Sequence, residues 1–139
     1  MNRHQARELA FSLLFEREFD KERPVSEIYE TAKGARMAEE SKYVRAVLSG
    51  IAEKEAELEE AIAAAAKGWS LSRISRVSLS ILKLSAYEML YCHDIPIRVS
   101  LNEAIELCKA YDEDSARPFV NGILNTLAAQ AKELRPDEA

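Results

Sequence analysis

An all-α fold is the class this sequence predicts, and three observations carry it. Apolar residues recur at steps of three and four almost end to end, the spacing of one helix face. Alanine, leucine and glutamate, all good helix formers, are abundant. Only four glycines and four prolines stand in 139 residues, too few turn residues for a many-stranded sheet. A chain of this length makes one domain and buries about 68% of its unfolded surface, so it folds without staples. Apolar residues at 47% and charged residues at 31% are ordinary for a soluble globular protein.

Residues 3–19 set Ala6, Leu9, Ala10, Leu13 and Leu14 on one face, with Phe11, Phe15 and Phe19 on an adjoining stripe. Pro24 interrupts, and a shorter helix is expected over 25–37. Residues 41–67 read as one long helix, with Val44, Leu48, Ile51, Leu58 and Ile62 in register and Gly68 closing it. Trp69 opens a connector in which Ser70 and Ser72 are candidate N-caps. The helix over 74–92 is apolar around most of its circumference, so neighbours must bury it on several sides. Glu88 falls on its apolar stripe, and a buried carboxylate needs partners; backbone amides at the start of the next helix are the expected ones. Pro96 marks a break, after which Ser100 and Glu103 have capping-box spacing and open a helix to about Tyr111.

The last helix, 116–133, contains an awkward pair. Asn121-Gly122 is a strong hairpin signal. Yet Phe119, Val120, Ile123, Leu124, Leu127, Ala128 and Ala131 keep helical spacing through it, and Pro118 falls in the first turn, where a missing N–H costs little. The period decides for a helix. Gly122 costs about 1 kcal/mol there, which predicts close packing by a neighbouring helix. Residues 132–139 read as a frayed tail.

Net charge is −5, but its distribution says more than its sum. Residues 39–60 carry seven Glu against three Lys or Arg, whereas 61–87 hold no acid and four cations, Lys67, Arg73, Arg76 and Lys83. Solvated helix faces account for the acidic run; the acid-free stretch also suits a basic, ligand-facing surface. Arg117 and Phe119 stand in the first turn of the last helix, where a cation, a ring and outward amides suit a phosphate and a stacked base. The bland alternative is that Phe119 begins the core stripe. Chemistry is sparse: His4 and His93 lack metal-ligand spacing, and no phosphate loop or nucleophile motif occurs. Neither an enzyme nor a cofactor is expected. Cys92 and Cys108 read as buried thiols of a reducing compartment, and no run of apolar residues is long enough to span a membrane. The expected location is the cytoplasm.

Several linked stretches then resemble one family. "RISRVSLSILKLSAYEML", "IPIRVSLNEAIELCKAY" and "FVNGILN", with "ARELAFSLLF" near the start, are similar in order and spacing to the bacterial NusB transcription antitermination factors. The resemblance implies about seven helices in two packed helical bundles, a single RNA-binding domain over 1–135 and a frayed tail at 136–139. It implies binding of boxA-type single-stranded RNA in nascent ribosomal RNA transcripts together with ribosomal protein NusE, on the elongating RNA polymerase. By the same resemblance, Arg3, His4, Arg7, Arg117 and Phe119 meet RNA on one surface, and Phe15, Phe19, Arg76 and Ser78 meet the partner protein. Two departures stand out. The start "NRHQAR" is thin in arginine, and Ser78 occupies a position where the family often carries an acid, a role that Glu16 or Glu18 would have to take over. The rival reading is a helical adaptor or homodimer that binds protein alone. A third, the NusB-like domain of a ribosomal RNA methyltransferase, ranks below it.

Overall fold

The computed structural model describes residues 1–35 and 41–138, and seven α-helices make up most of them. In chain order they are α1 (Arg3–Arg17), α2 (Val25–Ala35), α3 (Lys42–Glu53), α4 (Glu55–Ala65), α5 (Arg76–Tyr91), α6 (Ile97–Tyr111) and α7 (Arg117–Leu134). The end expected for the second helix, at residues 36 and 37, lies outside the described residues. Helix α1 starts at a capping box: Asn2 Oδ1 accepts from the Gln5 amide at 2.8 Å, and Gln5 Oε1 accepts from the Asn2 amide at 3.0 Å. Helix α4 closes through two residues of positive φ, Lys67 (48°) and Gly68 (96°), and only the glycine takes that conformation without steric cost.

Helix α5 is the hub. Every residue from Ser78 to Ala86 is buried, because α1, α3, α4, α6 and α7 all pack on it. Helices α1, α2 and α3 form one group against it, and α4, α6 and α7 form the other, giving two bundles that share α5. The hub carries two buried charges. Lys83 Nζ donates to Glu18 at 2.8 Å and Glu55 at 2.9 Å, and Arg17 joins Glu55 at 2.7 Å, tying α1, α4 and α5 together. Glu88 is the other.

Five sequence expectations are corrected here. The long helix over 41–67 is two, with the bend at Lys54; the i→i−4 bonds persist on both sides, so the hydrophobic period carries no trace of it. The cap of α5 is Ser75, whose Oγ accepts from the Ser78 amide at 3.0 Å, rather than Ser70 or Ser72. Helix α6 begins at Ile97 behind Pro96, and the pair expected to form its capping box has been drawn into tertiary contacts: Ser100 donates to Glu88 at 2.7 Å, and Glu103 meets His4. Gly122 packs against nothing, since a Cβ there would meet no atom within 4 Å. The glycine that admits a neighbour is Gly50, where a Cβ would clash with the Tyr87 hydroxyl and ring.

The fifth correction concerns the tail, which is docked. Arg135 is buried, donating to the carbonyls of Ile95, Glu88, Met89 and Cys92 at 2.5–2.9 Å. Pro136–Glu138 then form a 3₁₀ turn, from which Glu138 accepts from the first amide of α6, Ile97, at 3.3 Å. The guanidinium adds donors to carbonyls at the end of α5, of which Glu88 O also accepts from the Cys92 amide and Cys92 O from the Ile95 amide. A lone polar tail has no such partner in the sequence, so fraying was the natural expectation.

Candidate nucleic-acid interface

The five residues expected on the RNA surface fall into two patches. Two hydrogen bonds relate these patches to α5: Arg7 to Glu88 joins the start of α1 to the C-terminal half of α5, and Ser78 to Asp112 joins the approach to α7 to the first turn of α5. The two anchors are ten positions apart on α5, about 15 Å along its axis.

The first patch holds Arg3, His4 and Arg7, successive positions on the opening turns of α1. Arg7 is enclosed: Nε and Nη2 donate to the two Glu88 oxygens at 2.8 and 3.1 Å, a bidentate pair. Tyr43 and Ser100 also donate to Glu88, so the carboxylate expected to rest on backbone amides is held by side chains from α1, α3 and α6. Burial and then the Glu88 charge push the Tyr43 hydroxyl well above the ordinary tyrosine range, keeping it a donor. Arg3 stands in front of this cluster, its guanidinium 4.6 Å from the Tyr43 ring centre. His4 is exposed, with Nδ1 2.8 Å from Glu103 and Nε2 3.6 Å from Glu8. The hydrogen bond and charge of Glu103 raise its pKa above the ordinary value. Arg3 and His4 are therefore available to a ligand, whereas Arg7 anchors the ground they stand on.

The second patch is the start of α7. Phe119 is half-buried, and its ring meets Trp69 at 5.3 Å between centres with the planes 55° apart. Trp69 is 51% exposed and lies in the connector after α4. The two rings border an open groove of about 290 Å³ with Lys67, Pro118, Gly122 and Thr126 along it. Gly122 thus leaves space on the ligand side. Arg117 is held by Asp114 at 2.5 Å, and its Nε and Asn121 Oδ1, one turn apart, are enclosed without a hydrogen-bond partner among the described residues. Sequence reasoning missed Trp69 and Tyr43. A lone tryptophan behind a helix-ending glycine was the available signal for the first; nothing local marked the second.

The residues expected at the protein partner form a separate face. Tyr111, Phe11, Phe15 and Phe19 run as a ladder with ring centres 4.9, 6.5 and 5.1 Å apart, and the Arg76 guanidinium lies 4.6 Å from the Phe19 ring. Phe19 is 61% exposed despite these contacts, a large apolar ring left open to solvent. Ser78 lies beneath this face and is buried; its hydroxyl donates to Asp112 at 2.6 Å. The acid beside it comes from the end of α6, and Glu18 has turned inward to Lys83. Among the described residues, no three His, Cys, Asp or Glu side chains gather as a metal site, and no helix is long and apolar enough to cross a membrane.

A sequence model of the NusB family matches residues 4–129. Transcription antitermination protein NusB of Clostridium acetobutylicum is 38% identical over 135 residues, 96% of this chain and 99% of its own. Its counterpart in Carboxydothermus hydrogenoformans is 39% identical over 140 residues, 96% of each chain. The structure of T. maritima NusB superposes with a TM-score of 0.82 at 32% identity, covering 94% of this chain and 92% of that one. A chain in a solved complex of antitermination factors NusB and NusE with double-stranded RNA shares the fold, with a TM-score of 0.81 at 19% identity over 94% of this chain and 99% of its own. With nearly its whole length matched by the family model and by relatives well above chance identity, this chain belongs to the NusB family.

Proposed function

We propose that this protein is a cytoplasmic antitermination factor that binds boxA-type single-stranded RNA of nascent ribosomal RNA transcripts together with ribosomal protein NusE, on the elongating RNA polymerase. Its family is one of transcription antitermination proteins, so it works by binding and not as an enzyme. The observation that carries the RNA reading is the open Trp69–Phe119 pair beside Arg117. Two tilted rings bordering a groove can take an unstacked base on their faces, while Arg117 and Lys67 meet phosphate. Duplex bases are already stacked on each other, so the pair favours single strands. Arg3 and His4, in the patch at the other end of α5, extend the contact beyond one nucleotide. The Phe15–Phe19–Arg76 face suits NusE, because an exposed ring under a guanidinium gains most when a partner covers both.

The test is binding of a short boxA-like RNA across a salt series, with and without NusE. Weak binding alone, stronger binding with NusE and a loss of affinity with salt are expected. Trp69→Ala and Phe119→Ala should each cost about 1–3 kcal/mol of RNA affinity. Trp69→Ala should leave thermal stability nearly unchanged because its ring is half exposed. Absence of RNA binding by the folded protein in either case would overturn the proposal in favour of a protein-only adaptor or homodimer.

A further inference from the structure

The first patch contains a group whose charge changes near neutral pH, and the carboxylates around it make that change count. His4 Nδ1 lies 2.8 Å from Glu103 on α6, and Nε2 lies 3.6 Å from Glu8 one turn along α1. Glu103 also reaches Arg7 Nη1 at 3.7 Å, and Arg7 is otherwise committed to Glu88 on α5, which Tyr43 of α3 also contacts. Arg3 is the other cation here, over the Tyr43 ring. With the imidazole protonated, Arg3, His4 and Arg7 match Glu8, Glu88 and Glu103 charge for charge. With it neutral, one carboxylate is left over on a surface that must meet phosphate. Of the three cations, Arg7 is buried and cannot turn outward, so half of the mobile positive charge resides on His4.

We infer that His4 is a protonation-gated phosphate contact that makes RNA binding by this protein pH-dependent across the neutral range. The inference rests on the RNA-binding reading above. Protonated His4 keeps its Nδ1–H on Glu103, neutralising it, and offers its Nε2–H to an incoming phosphate; deprotonation removes that contact and leaves Glu103 to repel the RNA. The pairing with Glu103 holds His4 protonated to a higher pH than an isolated histidine, and a bound phosphate adds to that. Affinity is therefore higher at low pH and falls as pH rises through the His4 titration. An arginine at this position would not titrate at all, so the gate is a property of the histidine.

The experiment measures binding of a single-stranded boxA-like RNA to the full chain, with NusE present, at pH 6 and pH 8 over a salt series. Wild type should bind about two- to fivefold more weakly at pH 8, the range for one exposed ion contact. Its log–log salt slope should become shallower by about 0.7, one single-strand phosphate contact. His4→Arg should hold the strong, steep-slope behaviour at both pH values, and His4→Gln the weak one at both. His93→Gln, at the only other histidine, should titrate like wild type. A pH-independent affinity and slope in wild type would overturn the gate, as would pH dependence that survives in His4→Gln. Absence of RNA binding at either pH would instead overturn the RNA-binding reading and the gate with it.

Discussion

At the scale of single residues, the two glycines at helix-interior positions exchange roles between sequence and structure. Gly122 carried the visible anomaly, yet it faces open space, so Gly122→Ala should raise stability by about 1 kcal/mol through helix propensity alone. Gly50 raised no question in the sequence, because one glycine in a long amphipathic run is unremarkable. Its bare Cα receives the Tyr87 ring, and Gly50→Ala should destabilise by about 1–3 kcal/mol as the crossing of α3 and α5 is forced apart. Urea unfolding of the two variants reads both signs, and equal effects would contradict the packing. A glycine is legible as an exception to a pattern; which neighbour it admits is a fact of the fold.

At the scale of elements, the helical period located the helical segments, since buried stripes are written in the spacing, but it ran α3 and α4 together. Caps and boundaries were harder, because the same residue types serve tertiary partners. Ser100 and Glu103 have the spacing of a local cap, but Glu88 and His4 are better partners than backbone amides already bonded within α6. The candidate site was legible in part: Arg117 and Phe119 stood out by residue type and position, Arg3 and His4 only through the family resemblance. Their division into two patches follows from α1 and α7 running in opposite directions along α5, so that their first turns lie at its two ends. Arg135 is the element-scale contact with the largest expected effect. Its two Nη atoms close the end of α5 on four carbonyls. Arg135→Ala removes charge-assisted bonds worth about 1.5–3 kcal/mol apiece before water compensates, and should cost at least about 2 kcal/mol in urea unfolding. A near-neutral result would mean that solvent replaces the guanidinium freely.

At the scale of the whole molecule, the Lys83 cluster joins the two bundles and sets the response to acid. Burial works against the Glu55 charge, but the hydrogen bonds and charges of Arg17 and Lys83 hold its pKa down to about 2, from 4.5. A depressed folded pKa contributes stability that is present above 4.5 and lost as pH falls from there through about 2. Unfolding free energy should therefore fall steeply across that window, and Glu55→Gln should flatten the fall. Lys83→Ala leaves Glu18, Glu55 and Glu59 facing one another beneath the surface and should cost about 3–5 kcal/mol at neutral pH. Composition could show that Lys83 sat in an acid-free stretch; only the meeting of α1, α4 and α5 shows that its partners come from elsewhere.

Glu88 joins both ends of the polypeptide, its carboxylate to Arg7 and its backbone oxygen to Arg135. A ribosome delivers those two arginines 128 residues apart. While the chain is being made, α5 emerges before Arg135 and before α6 and α7, two of the three helices of its second bundle. Vectorial synthesis therefore leaves the hub half covered until α7 and Arg135 follow, which places closure of this core late in synthesis. A chain cut before Arg135 lacks the donors that close the end of α5 and should unfold at lower urea than the full chain.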